Sequence, residues 1–349
     1  KLLLLQDVTL EILERSQTLI KSGMCGIECL NETVDGFHVD AFVQGARHQA
    51  RCVLSGGHLN IARIERDGQI VFQSACGVAE PDGLGYRRDL QRMSLDEVLA
   101  LVEGLDAEDR DYLRRGVEMN LAMSEWGVEV RGAAHQLRRM QREGFLADDM
   151  FFRAKMRVAS AVDARMAGRN QAVMTSGGSG NQGVVAILTP YTVGREMGVD
   201  SERILESIAV AHLINAYIKC FLGEISVICG CAMAAGIASA TGIVYQQVGV
   251  DIDRITLSVN NVIGDLSGLI CDGAKPGCAM KAITAVDTAI RSALMALKGF
   301  GLSADDGIVG QTVEESLRNL GRITLEGMFR VDPTMLTILQ NKAAGSGKA

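Results

Sequence analysis

Four of the nine cysteines lie in two short glycine-bearing segments, Cys229-Gly230-Cys231 and Cys271-Asp272-Gly273-Ala274-Lys275-Pro276-Gly277-Cys278. Grouped thiolates are ligands for soft metals. The spacing here lacks the tight C-x-x-C knuckles of a zinc site, so an iron-sulfur cluster is the better match. A helix does not run unperturbed through Pro276-Gly277, which predicts that Cys271 ends one helix and Cys278 begins the next, with both sulfurs facing one point. The 40 positions from Cys231 to Cys271 leave room for a helix, a turn and a returning helix. The competing assignment is packing, because free cysteine is among the most buried residue types. Packing is the reading for Cys52, Cys76 and Cys220. Cys25 and Cys29, at C-x-x-x-C spacing without a second pair, are read as structural.

A second constellation runs from Met174 through Thr175, Ser176, Gly177, Gly178, Ser179, Gly180, Asn181 and Gln182 to Gly183, ahead of an apolar run from Val184 that is expected to start a helix. Its four glycines let a ligand approach the backbone, and free N–H groups at a helix start suit an anion. No Gly-Lys-Ser/Thr follows, so it is not a phosphate-binding P-loop. A carboxylate suits a loop of hydroxyls and amides without a lysine; the plainer alternative is a flexible connector. A third feature is His58 in Ser55-Gly56-Gly57-His58, a turn between strands where a histidine is an acid or base candidate. His38, His48, His135 and His212 carry no further signal.

The elements that must position these residues read as an α+β chain. Asp7 to Ser22 has helical spacing, with Asp7 suited to cap its start and Gly23 its end. Residues 37–43, 50–54, 60–65 and 69–72 read as four short strands of an antiparallel sheet, the last two joined at Asp67-Gly68. Residues 77–92 read as a linker. Ser94 to Glu97 looks like a capping box, and long helices with glycine-bearing breaks extend from Ala147 to Leu339. The expected organisation is a small N-terminal domain (1–90) with the antiparallel sheet and helices, a helical connector (91–147), a large all-helical cluster and substrate domain (148–340), and a frayed tail (341–349).

Length and composition agree. A chain of 349 residues exceeds the roughly 250–300 at which single cores stop growing. Hydrophobic residues at 48% with aromatics at 4% and 39 glycines point to closely packed helices built from small residues. A net charge of -7 leaves no basic surface for nucleic acid. Ile225 to Val244 carries no charge over 20 residues, the length of a membrane span. Its small residues and lack of flanking basic clusters favour a buried helix and no membrane partner. Nine cysteines without a secretory h-region place the chain in a reducing compartment, the cytoplasm. The absence of an initiating Met suggests a start inside a longer gene product.

Taken together, Val162 to Gly168, Met174 to Gly183, Cys229 to Gly236 and Gly268 to Cys278 resemble the L-cysteine desulfidase family. That family is similar in turn to the alpha subunit of iron-sulfur L-serine dehydratases. The resemblance extends from the first helix to about Thr334. It implies a β-eliminase independent of pyridoxal phosphate, with a [4Fe-4S] cluster on three cysteines, here Cys231, Cys271 and Cys278, and a fourth iron open to substrate. The implied reaction converts L-cysteine and water to pyruvate, ammonia and hydrogen sulfide. The loop from Thr175 to Gln182 would hold the substrate carboxylate, His58 would be the base, and Lys275, with Lys281, would stabilise charge. The family's N-terminal Gly-Cys-Thr-Glu-Pro motif, which gives one cluster cysteine, does not occur in the chain; either a preceding segment carries it or a local cysteine such as Cys229 substitutes. L-serine dehydration by the same chemistry, a non-catalytic iron-sulfur sensor and a pyridoxal-phosphate lyase are the competing readings. The expected partners are a small amino-acid substrate and, on assembly, further copies of the chain.

Overall fold

The computed structural model describes residues 8–28, 38–56, 60–74, 85–223 and 226–346. They fall into two units, Lys1–Asp89 and Leu90–Ala349. The first holds helix α1 (Leu10–Lys21) and a four-stranded antiparallel sheet of β1 (His38–Gln44), β2 (Gln49–Ser55), β3 (Ile61–Arg66) and β4 (Gln69–Gln73), in that spatial order. The N-cap of α1 is Thr9, whose hydroxyl accepts from Ile12 N; Asp7 lies outside the described residues. Asp67 and Gly68 both take positive φ, 51° and 80°, as a tight two-residue hairpin turn requires. The Asp67 carboxylate also accepts from Gln49 N at 2.9 Å, tying the β3–β4 turn to the start of β2.

Helix α2 (Gly85–Arg92) leads into the second unit. There α3 (Leu95–Ala100), α4 (Ala107–Gly127), α5 (Ala133–Arg142), α6 (Met150–Met166), α7 (Gly180–Glu196), α8 (Ser201–Leu222), α9 (Met233–Val248), α10 (Ile252–Leu266), α11 (Cys278–Leu297), α12 (Val313–Arg322) and α13 (Val331–Ser346) follow. The chain is therefore α+β, with a small N-terminal antiparallel sheet and a large helical body. Ser94 and Glu97 form the capping box that opens α3.

The centre of the body is α9, buried from Met233 to Gln246 and packed on α7, α8, α10 and α11. Its small residues make that possible. A Cβ on Gly242 would lie 2.8 Å from the Ser207 carbonyl of α8. The same device sets α4 against α6, where a Cβ on Gly127 would lie 1.7 Å from the Ser160 carbonyl. Helix α8 has the length and composition of a membrane span, but 67% of its most apolar window is buried inside the body, as in a core helix.

Two expectations about helix ends are corrected. The uncharged run from Ile225 to Val244 is not one helix: α9 begins at Met233, and the residues before it include an isolated antiparallel bridge between Ile228 and Ile270. Cys271 does not end a helix either. Helix α10 stops at Leu266, and the chain then runs extended so that Cys271 N donates to Val227 O (2.7 Å) while Cys229 N donates to Leu269 O (2.8 Å). Backbone pairing between segments far apart in sequence outweighs local helix propensity here. Cys278 does begin α11.

Candidate active site

Ser176 and Ser179 close a miniature hairpin through reciprocal backbone bonds, Ser176 N to Ser179 O at 3.1 Å and Ser179 N to Ser176 O at 3.0 Å. Gly177 and Gly178 between them both take positive φ, 52° and 80°, which side-chain-bearing residues rarely adopt in succession. Helix α7 starts directly after it, at Gly180 and not at Val184, so Asn181 and Gln182 belong to its first turn, whose amides have no intrahelical partners. The buried Asn120 of α4 holds the hairpin's flanks together: its Oδ1 accepts from Met174 N (2.9 Å) and its Nδ2 donates to Met174 O (3.4 Å) and Gly183 O (3.2 Å).

One face of α8 supports this hairpin. His212, Asn215 and Lys219 recur at helical spacing and all meet it. Asn215 Nδ2 donates to Ser176 Oγ at 2.9 Å, and His212 Nδ1 lies 3.0 Å from the same oxygen. Lys219, only 6% exposed, lays its stem along Gly177: a Cβ there would sit 3.4 Å from Lys219 Cγ and 2.8 Å from Asn215 Nδ2.

Burial pushes the His212 imidazolium down to about 4, from an ordinary 6.5, so the ring is neutral near pH 7. Because the unfolded chain binds the proton more readily, acid favours unfolding. The contribution is complete above about pH 6.5 and is lost as the pH falls toward 4, on the order of 3 kcal/mol in all. Denaturant unfolding of wild type and His212→Asn between about pH 7 and pH 4.5 should show a flatter stability profile for the variant; parallel profiles would contradict the assignment.

The cysteine segments adjoin the hairpin. The Ser179 side chain lies beside the Cys231 thiol, and a Cβ on Gly230 would lie 2.5 Å from Gln182 Nε2 and 3.5 Å from Lys219 Nζ. From α6, Arg165 donates to Asn181 Oδ1 and sits within electrostatic reach of Cys231 and Cys278. The Cys229 thiol lies against those of Cys231 and Cys271. This contact lowers the pKa of the Cys231 thiol and raises that of Cys271 well above the usual range. Cys278 Sγ donates to Gly273 O at 3.6 Å and accepts from Lys275 N at 3.4 Å, folding its loop over the start of α11.

Among the described residues no three His, Cys, Asp or Glu side chains converge as ligands of a single ion would. A four-iron cluster with one iron left open asks for something different, three thiolates on three separate irons. Free Cys231, Cys271 and Cys278 in two adjoining segments, with Arg165 and Lys281 near them, fit that donor set.

The sequence-derived site residues divide accordingly. Ser176, Gly177, Ser179, Asn181 and Gln182 come together with Cys231, whereas Thr175 and Gly178 are exposed on the hairpin's outer side. Lys275 pairs with Asp272, as does Lys281, which also donates to Ile270 O at 2.7 Å. Both lysines therefore brace the cysteine loop, and together they hold the Asp272 carboxyl far below the usual carboxylate range. For Lys281, burial opposes the charge but Asp272 and the neighbouring thiols outweigh it, so its pKa is raised. His58 lies outside the described residues. The sequence reading passed over His212, Asn215, Lys219, Arg165 and Asn120. The available signal was a polar stripe at i, i+3, i+7 on the otherwise apolar α8. Asp163, in the same motif as Arg165, caps α5 by accepting from Ala134 N at 2.9 Å.

The chain matches the family described as serine dehydratase alpha chain over residues 17–337. It is 46% identical over 342 residues to the UPF0597 protein of Geobacter sulfurreducens, a match covering 98% of this chain and 80% of that protein. It is 38% identical over 342 residues to the UPF0597 protein of Elusimicrobium minutum, with the same coverage of each. A third relative, from Desulfotalea psychrophila, is 34% identical over 350 residues, covering 98% and 80%. No solved structure matches the chain.

Proposed function

Because the chain belongs to the serine dehydratase alpha-chain family, we propose that it is a lyase that carries out β-elimination on a small L-amino acid without pyridoxal phosphate. The preferred substrate in this reading is L-cysteine, giving pyruvate, ammonia and hydrogen sulfide with consumption of one water. L-serine, giving pyruvate and ammonia, is the second reading, favoured by the description of the matched family. The observation that carries the proposal is the meeting of two unlike segments: the Ser176–Ser179 hairpin, suited to a carboxylate, touches the cysteine segment through Ser179 and Cys231.

β-Elimination breaks the Cα–H and Cβ–S (or Cβ–O) bonds and leaves an enamine that water hydrolyses. It needs a base at Cα and a Lewis acid for the departing group. A [4Fe-4S] cluster held by Cys231, Cys271 and Cys278 would supply that Lewis acid. The chain's own part is positional. The hairpin and the first turn of α7 hold the carboxylate at unpartnered backbone amides. The nearness of Ser179 to Cys231 would set the distance between carboxylate and leaving group. Arg165 places positive charge beside the thiolates, where negative charge accumulates as the leaving group departs.

Anaerobic reconstitution with iron and sulfide, followed by parallel assays, tests the reading. Pyruvate is expected from at least one of L-cysteine and L-serine, with equal hydrogen sulfide when L-cysteine is used. Pyruvate from neither, with cluster absorbance present, would leave a non-catalytic iron-sulfur module as the better description.

A further inference from the structure

The cluster reading uses three of the four cysteines in the two adjoining segments, and Cys229 is left over. It is 4% exposed, and its thiol lies against that of Cys271, from a segment distant in sequence. The backbone builds this contact. Cys229 N donates to Leu269 O (2.8 Å), Cys271 N donates to Val227 O (2.7 Å), and Ile228 and Ile270 form the bridge between those two bonds. Cys229 and Cys271 each follow a bridged residue directly, so the alternation of extended chain turns both side chains to the side away from Ile228 and Ile270. Two thiols held in one register by the fold are a dithiol ready to close.

The other two cysteines are worse partners for Cys229. Cys231 touches it from within one tight turn, in which Cys229 O accepts from Ala232 N (3.0 Å) and Met233 N (2.8 Å). A disulfide has a narrow geometry, and closing one across Gly230 would disturb that turn. Cys278 is engaged in its own loop, its sulfur between Gly273 O and Lys275 N. Exposure sets the order of events. Cys271 is half-buried beside Ile270, itself 40% exposed, so a small oxidant meets Cys271 before it meets Cys229.

We propose that in the cluster-free protein Cys229 is the resolving thiol for Cys271, and that the disulfide between them is a reversible lock on cluster loading. The oxidant is hydrogen peroxide. The Cys271 sulfur attacks one peroxide oxygen, an S–O bond forms as the O–O bond breaks, and the thiol proton leaves with the departing oxygen as water. The Cys229 sulfur then attacks the Cys271 sulfur, S–S forms as S–O breaks, and the second thiol proton leaves with that oxygen as another water. Two electrons pass from the two sulfurs to the peroxide. Exchange with a dithiol reverses the step, whereas a Cys271 left unresolved goes on to sulfinic acid, which thiols do not repair. The dithiol chemistry stands on the geometry alone; its effect on loading rests on the cluster reading above.

The test starts from the iron-free protein. Limited hydrogen peroxide, then alkylation and peptide mass mapping, should show one crosslink, between Cys229 and Cys271, two hydrogens lighter than the reduced pair. Anaerobic iron and sulfide should then give no cluster absorbance until dithiothreitol is added. Cys229→Ser, with a melting curve matching that of the wild type, should form no crosslink; its Cys271 should gain two oxygens, and dithiothreitol should not restore loading. Loss of a cysteine that only fills space would move neither readout. If the serine variant does not fold, mapping and loading of the wild type decide alone. A crosslink between any other pair, or an oxidised wild type that still takes up the cluster without reductant, would overturn the proposal. Failure of the fully reduced protein to take up a cluster would instead refute the cluster reading, and the lock with it, whatever the crosslink shows.

Discussion

Cys271→Ala should leave a protein that folds, shows no iron-sulfur absorbance after anaerobic reconstitution, and releases no pyruvate from L-cysteine or L-serine. Cys271 is half-buried in the extended segment that pairs with residues 227–229, and its thiol contacts Cys229. The pairing is made by backbone atoms, so alanine preserves it. What disappears is one thiolate of the three that would hold the cluster, and a cube with two protein ligands is not retained. Cys220→Ala is the internal control. Cys220 is also half-buried, on α8, where its sulfur donates to Ala216 O at 3.5 Å, and its loss should leave absorbance and turnover intact. Full absorbance in the Cys271 variant would remove that residue from the ligand set.

Gly183→Ala should have a large effect on stability at the site. A Cβ there would lie 2.0 Å from Met174 O and 2.8 Å from Thr175 C and Cα, all backbone atoms of the segment that Asn120 clamps. A flexible side chain could swing away; this backbone has no such freedom, so α7 must move off the hairpin. Overpacking of this kind costs about 3 kcal/mol or more, which for a body of this size lowers the melting temperature by roughly 6–12 °C. Activity should fall with it, because Asn181 and Gln182 travel with α7. Gly178→Ala makes the contrast. Its φ of 80° is strained for alanine, but nothing lies within 4 Å of the new methyl, and the cost should stay near the 1–2 kcal/mol of a left-handed residue. Equal melting temperatures for the two variants would contradict the packing argument.

Much of the fold was legible because it is written locally. Alternation marked the four strands, Asp67-Gly68 marked their last turn, and Ser94 with Glu97 marked the start of α3. The cysteine loop was half legible: Pro276-Gly277 announced the start of α11 at Cys278, while the placement of Cys271 depended on a bridge from Ile270 to Ile228, a partner some forty residues away. No local pattern carries such pairing. The same holds for α9, whose true start is set by that bridge and not by hydropathy.

In the site, glycines signalled the loop, because two successive positive φ values favour residues without a Cβ. Its supports were hidden for a physical reason. His212, Asn215 and Lys219 look like scattered polar residues on an apolar helix until α8 is packed against Ser176 and Gly177, and Asn120 shows nothing until two carbonyls and an amide from another segment close around it. Lys275 stood out as a charge in a motif, yet it pairs with Asp272, whereas the lysine that reaches between hairpin and cysteines is Lys219, from a different helix.

In the proposed site the hairpin and the cysteine segments act together, with the amino acid held against the cluster. Mössbauer spectra of protein reconstituted with isotopically enriched iron, recorded with and without saturating L-cysteine or L-serine, test it most directly. One iron of the cluster should change its signal when the amino acid is added while the others stay as they were. Identical spectra with either amino acid at saturation would contradict it.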